Sequence, residues 1–128
     1  MRSVIYGTLI TVFLASAGTV EAANDLDGKA LLCGIKYGKY TLYHGYVFDA
    51  GKVTKWEVNG YSKVKPYTKP LRYKLKGPYE VQWNERHTIY LNRQTLIVNG
   101  RQCQISSKKE IFLKLDEGIA DAKKKNKI

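Results

Sequence analysis

The sequence predicts an all-β protein: an antiparallel up-and-down β-barrel of eight or nine short strands, followed by a C-terminal α-helix. Three observations lead there. Apolar residues recur with a period of two in short runs from Ala30 to Ile105, the signature of strands with one buried face. Turn signals (Asp49-Ala50-Gly51-Lys52, Asn59-Gly60, Gly77-Pro78, Asn84-Glu85-Arg86 and Asn99-Gly100) separate the runs. The connections are too short for crossover helices, so successive strands pair antiparallel, and a sheet of that many strands curls until closure removes its edges.

The first strand is Ala30 to Ile35, carrying Cys33. In the second, Tyr40 to Phe48, period two puts Tyr40, Leu42, His44, Tyr46 and Phe48 on one face. Val53 to Val58 sets Thr54, Trp56 and Val58 against Lys55 and Glu57. Asn59-Gly60 reads as a primed hairpin turn. Tyr61 to Tyr67 is an edge strand or a loop, because Pro66 and Pro70 cost ladder hydrogen bonds. Leu71 to Lys76, then Tyr79 to Trp83, then His87 to Leu91 restore the alternation, and a second Asn-Gly turn joins Thr95–Val98 to Arg101–Ile105 with Cys103. Beyond it the period changes. Ser107-Lys108-Lys109-Glu110 has capping-box spacing, and Phe112, Leu115, Ile119 and Ala122 fall on one helical stripe before a Lys-rich tail.

Residues 1–22 read as an export signal: Arg2, an uncharged run from Val4 to Ala17, and small residues at Val20 and Ala22 ahead of Ala23. The barrel then occupies residues 23–106 and the helix with its tail 107–128. The expected location is periplasmic or secreted, with nothing membrane-spanning left after cleavage. Disulfides persist in such a compartment. Cys33 and Cys103, in the first and last strands, are expected to bond across the barrel seam, because those strands are neighbours in an up-and-down barrel.

Gly28-Lys29…Cys33, Gly45-Tyr46-Val47-Phe48…Lys52-Val53 and Leu91-Asn92-Arg93-Gln94-Thr95-Leu96…Cys103 give the chain a resemblance to small exported proteins of unknown function from marine bacteria and their phages. The strand meander running into a C-terminal helix is also similar in architecture to lipocalin-like barrels. True lipocalins carry a Gly-x-Trp signature, and Gly28-Lys29-Ala30 lacks its tryptophan. The resemblance therefore implies a fold and transfers no site.

Composition narrows the chemistry. A hydrophobic content of 44% excludes a disordered chain. Two cysteines, two histidines and no Cys-x-x-Cys argue against a zinc module, an iron–sulfur site or a redox centre, and no cofactor or metal is expected. No nucleophile elbow, metalloprotease helix or phosphate-binding glycine loop is present. Glu57, Arg72 and His87 follow the order of a guanyl-type ribonuclease triad, which makes a secreted ribonuclease the catalytic alternative, although no N-terminal helix precedes the strands.

Two non-catalytic readings remain. Tyr40, Leu42, His44 and Tyr46, with Trp56, Trp83 and Ile89, either fill the barrel or line a pocket for a small apolar or amphipathic ligand. A net charge of +11 is concentrated in Lys52, Lys55, Lys63, Lys65, Lys69, Arg72, Lys74 and Lys76 against Glu57 alone. These either keep the protein soluble or bind an anionic polymer or envelope surface. Lysine outnumbers arginine among them, so no specific nucleic-acid recognition is expected.

Overall fold

A computed structural model describes residues 26–128. The predicted export segment, residues 1–22, lies outside them. Nine strands follow in order: β1 Ala30–Tyr37, β2 Tyr40–Asp49, β3 Lys52–Asn59, β4 Ser62–Val64, β5 Leu71–Lys76, β6 Glu80–Asn84, β7 Thr88–Asn92, β8 Ile97–Val98 and β9 Arg101–Ser106; a single helix, α1, spans Lys108–Lys125. Every pairing is antiparallel. The pairing circuit β1-β2-β3-β5-β6-β7-β8-β9 returns to β1, which makes an eight-stranded closed barrel, with β4 an extra strand on the upper half of β3. The fold class read from the sequence is the one observed.

Closure is sealed covalently. Cys33 and Cys103 are register partners across the β1–β9 seam, their Cα atoms lie 4.3 Å apart, and their sulfurs form the disulfide. Both face the barrel interior with Leu31, Phe48, Val53, Tyr73, Val81, Trp83 and Leu91. At the base, Leu26 plugs the barrel and the Asp27 carboxylate accepts hydrogen bonds from Gly51 N (3.0 Å) and Tyr73 Oη (2.9 Å).

A second apolar layer lies outside the wall. Ser107 caps α1 by accepting from Glu110 N at 3.1 Å, as the capping box predicts. Ile111, Leu115 and Ile119 are buried, the first two against Ala30 and Leu32, with Tyr43, Val47, Trp56, Val58 and Phe112 packed alongside. Close approach depends on Gly45: a Cβ there would lie 2.6 Å from Ile111 side-chain carbons. Lys63 of β4 pairs with Asp116 of α1, which ties the extra strand to the helix.

The two Asn-Gly pairs behave differently. Asn99 (φ 45°) and Gly100 (φ 83°) form the two-residue primed turn between Val98 and Arg101. Asn59 instead stays in β3 and pairs with Ser62, so Gly60 (φ 65°) and Tyr61 make the turn, one residue later than predicted. The segment 93–96 is also a turn: Asn92 Oδ1, at the end of β7, accepts from Gln94 N and Thr95 N, and Leu96 takes φ 61°. Its residues serve the chain reversal.

The bond between Cys33 and Cys103 closes a loop of 70 residues, worth about 4 kcal/mol in the chain-entropy model. The double variant Cys33→Ser/Cys103→Ser is expected to lose about that much stability in urea unfolding. A loss below about 1 kcal/mol would show that strand pairing alone sustains closure.

Candidate functional site: the open mouth of the barrel

The interior is filled at one end and open at the other. Aromatic rings climb from the base edge to face: Tyr73 meets Phe48 (centroids 5.5 Å), Phe48 meets Trp83 (5.7 Å), Trp83 meets Tyr46 (5.2 Å) and Tyr46 meets His44 (5.5 Å). Above this column lies a cavity of about 600 Å³ at the end where β1, β3 and β6 finish.

Two ladders stop short and leave it open. β3 and β5 pair only through Lys52–Arg72 and Val53–Leu71, because β5 begins just after Pro70, which has no N–H to donate. β1 and β9 pair only from Ala30 up to Cys33, so the seam opens immediately above the disulfide. Ile35 and Arg101, which flank that opening, both line the cavity.

The ligand-pocket candidates divide. Leu42, His44, Tyr46 and Ile89 line the mouth. Trp83, 1% exposed, is part of the packed column beneath it. Trp56 corrects the expectation: it lies on the outer face of β3, its ring 4.7 Å from that of Phe112 of α1. The parity of β3 decides this, since Val53 faces inward and so do Lys55 and Glu57. The Tyr40 backbone pairs with Tyr37, and its side chain lies outside the description.

Inward charge is what sequence reasoning missed. Lys55 Nζ lies 3.6 Å from both Glu57 Oε1 and Glu85 Oε1. Glu85, its side chain 6% exposed, also accepts from Trp83 Nε1 at 2.9 Å. Tyr67, Arg86, His87, Asn99 and Arg101 complete the rim. Period two sets Lys55 and Glu57 opposite Trp56, and an inward Trp56 directs their charge outward. Arg86 stands in a turn, where local pattern carries no orientation, whereas Arg101 lies two residues before Cys103 and shares its inward face by period two.

The basic stretch is likewise dispersed. Lys55 points into the mouth, and Lys63 and Lys65 lie over the rings of Phe112 and Trp56. Lys52, Lys69, Arg72, Lys74 and Lys76 are exposed. The ribonuclease trio is not assembled: Glu57 and His87 line the mouth, whereas Arg72 faces outward and pairs with Lys52 at the opposite end of β3. Among the described residues, no group of three or more His, Cys, Asp or Glu side chains is arranged to hold a metal.

Comparison with protein-family models, curated proteins and solved structures gives no match. The mouth must therefore be read from its own chemistry.

Burial holds the His44 pKa down at about 4, helped by the positive charges of Lys55 and Arg101, so the imidazole is neutral at pH 7. Burial and the Glu85 charge push the Tyr46 phenol upward, which keeps it protonated and able to donate. A histidine whose folded pKa lies below its unfolded value of 6.5 favours the unfolded state in acid. Stability is expected to be complete above pH 6.5 and to fall progressively toward pH 4, by up to about 3 kcal/mol from this residue. Urea unfolding as a function of pH should show that loss, and His44→Gln should flatten it; an unchanged slope in the variant would place the acid sensitivity elsewhere.

Proposed function

We propose that the protein is a non-catalytic, exported binding module that takes a small amphipathic ligand in the barrel mouth. The observation carrying this reading is the half-filled interior: an aromatic column packs the base while about 600 Å³ stays open above it. The walls there suit an amphipath. Ile35, Leu42, Ile89 and Val98 offer apolar surface, and Lys55, Glu57, Arg86 and Arg101 offer charge. An exclusively apolar ligand fits less well, because it would strip water from charged groups without replacing their hydrogen bonds. Export is supported by the disulfide, which is stable in oxidising compartments.

A second reading, an adaptor for an anionic polymer or envelope component, has one observation in its favour. Lys52 and Arg72 are direct register partners on the outer face of β3 and β5, with Lys74 and Lys76 continuing the row. Like charges directly opposite destabilise a sheet, and a polyanion lying along the row would relieve them.

Native mass spectrometry of protein purified from its producing host should reveal a small-molecule adduct, lost when Ile89→Trp fills the mouth. A bare mass in wild type and variant alike would count against the ligand reading. For the adaptor, late and salt-sensitive elution from heparin should be abolished by Arg72→Glu/Lys74→Glu. Equal retention of that variant would remove the row from consideration.

A further inference from the structure

We propose that the mouth recognises an anionic headgroup, a carboxylate or a phosphate borne on a short apolar tail, and that Arg86 and Arg101 hold it. This rests on the ligand-binding reading above and names the class of ligand.

Glu57 and Glu85 are already partnered, since they share Lys55 and Glu85 also accepts from Trp83. Among the described residues, neither Arg86 nor Arg101 has a carboxylate within ion-pair distance. Both nevertheless line the same cavity, one from the β6–β7 turn and one from the first position of β9. Two guanidiniums at one recess, beside carboxylates already engaged by other donors, leave an excess of positive charge and of directed N–H groups. Planar forks of that kind match carboxylate and phosphate oxygens bidentately. At His44, burial first and then the charges of Lys55 and Arg101 disfavour the protonated form.

Neighbouring surfaces supply the rest of the ligand. Ile35 and Leu42 are register partners at the rim, and Ile89 and Val98 lie across the opening. An apolar tail would lie along them and cover the exposed face of Leu42, which is 41% accessible. The lysines of the outer wall do not provide such a site. Lys74 and Lys76 point into open solvent, where a single anion gains little.

The test is isothermal titration of the full exported chain with four probes of equal tail length: decanoate, decyl phosphate, 1-decanol and decyltrimethylammonium, each below its micellar concentration. One or both anions should bind at least about tenfold more tightly than the alcohol, and the ammonium least. Arg86→Gln/Arg101→Gln should reduce the anion to the level of the alcohol and leave the alcohol unchanged, while Lys74→Gln/Lys76→Gln should alter neither. Preference for one anion identifies the headgroup. Equal binding of anion and alcohol, or an anion preference that survives the arginine variant, overturns the proposal while the ligand-binding reading stands. Failure of all four probes to bind overturns both.

Discussion

The seam between β1 and β9 closes the barrel, and where it ends divides the packed interior from the open mouth. Pairing of those strands completes the wall that encloses Trp83 and Phe48, each 1% exposed. The seam is short, running only from Ala30–Ser106 to Cys33–Cys103. A ladder of that length contributes few hydrogen bonds, and the disulfide stands at its upper limit, where the strands begin to part. The covalent bond therefore marks the boundary between packed base and open mouth. Above that depth the interior is lined by the residues of the mouth.

Strand β3 carries a conflict that its alternation resolves. Its outer face must supply Trp56 and Val58 to the layer beneath α1, and its inner face must complete a barrel wall. Period two then sends Lys55 and Glu57 inward whatever their solvation cost. That cost is offset locally. Lys55 bridges the two glutamates, its ammonium lies 5.8 Å from the centre of the Tyr46 ring, and Trp83 donates to Glu85. Because β5 begins only below them, these residues also face the open end rather than a sealed core. Ion pairs in partly solvated recesses avoid most of the desolvation penalty of a buried pair.

Much of this was legible in the sequence because strand periodicity and turn chemistry are local. The alternation of Leu71, Tyr73 and Leu75, the Asn99-Gly100 turn, the Ser107 cap and the pairing of Cys33 with Cys103 all follow from neighbours along the chain or from strand order. The sidedness of Trp56 did not, because period two separates the faces of a strand without saying which is inside. In β3 both faces look plausible: one aromatic and apolar, the other charged. The helix decided, by offering an apolar surface outside the barrel. For the same reason the mouth was only half visible. Leu42, His44, Tyr46 and Ile89 lie in regular strands, whereas Arg86 and Arg101 are placed by a turn and by a strand's first residue, which only the closed barrel brings together.

The distribution of charge at the mouth separates residues that the fold requires from those it does not. Lys55, Glu57 and Glu85 have structural employment. The ladder between β3 and β5 ends at Val53–Leu71, and the Lys55–Glu85 contact then links β3 to the β6–β7 turn where backbone pairing has stopped. Tyr46 and Trp83 are fixed by the aromatic column beneath. Arg86 and Arg101 play no comparable part: Arg86 lies within the Asn84-Glu85-Arg86 turn and Arg101 follows the Asn99-Gly100 turn, neither turn needs an arginine, and both residues are exposed. Burial keeps His44 neutral, and the positive charges of Lys55 and Arg101 reinforce it. A fold under selection for stability alone has no use for two guanidiniums converging on an open, partly apolar cavity. They become intelligible when the mouth is the place where something anionic is held.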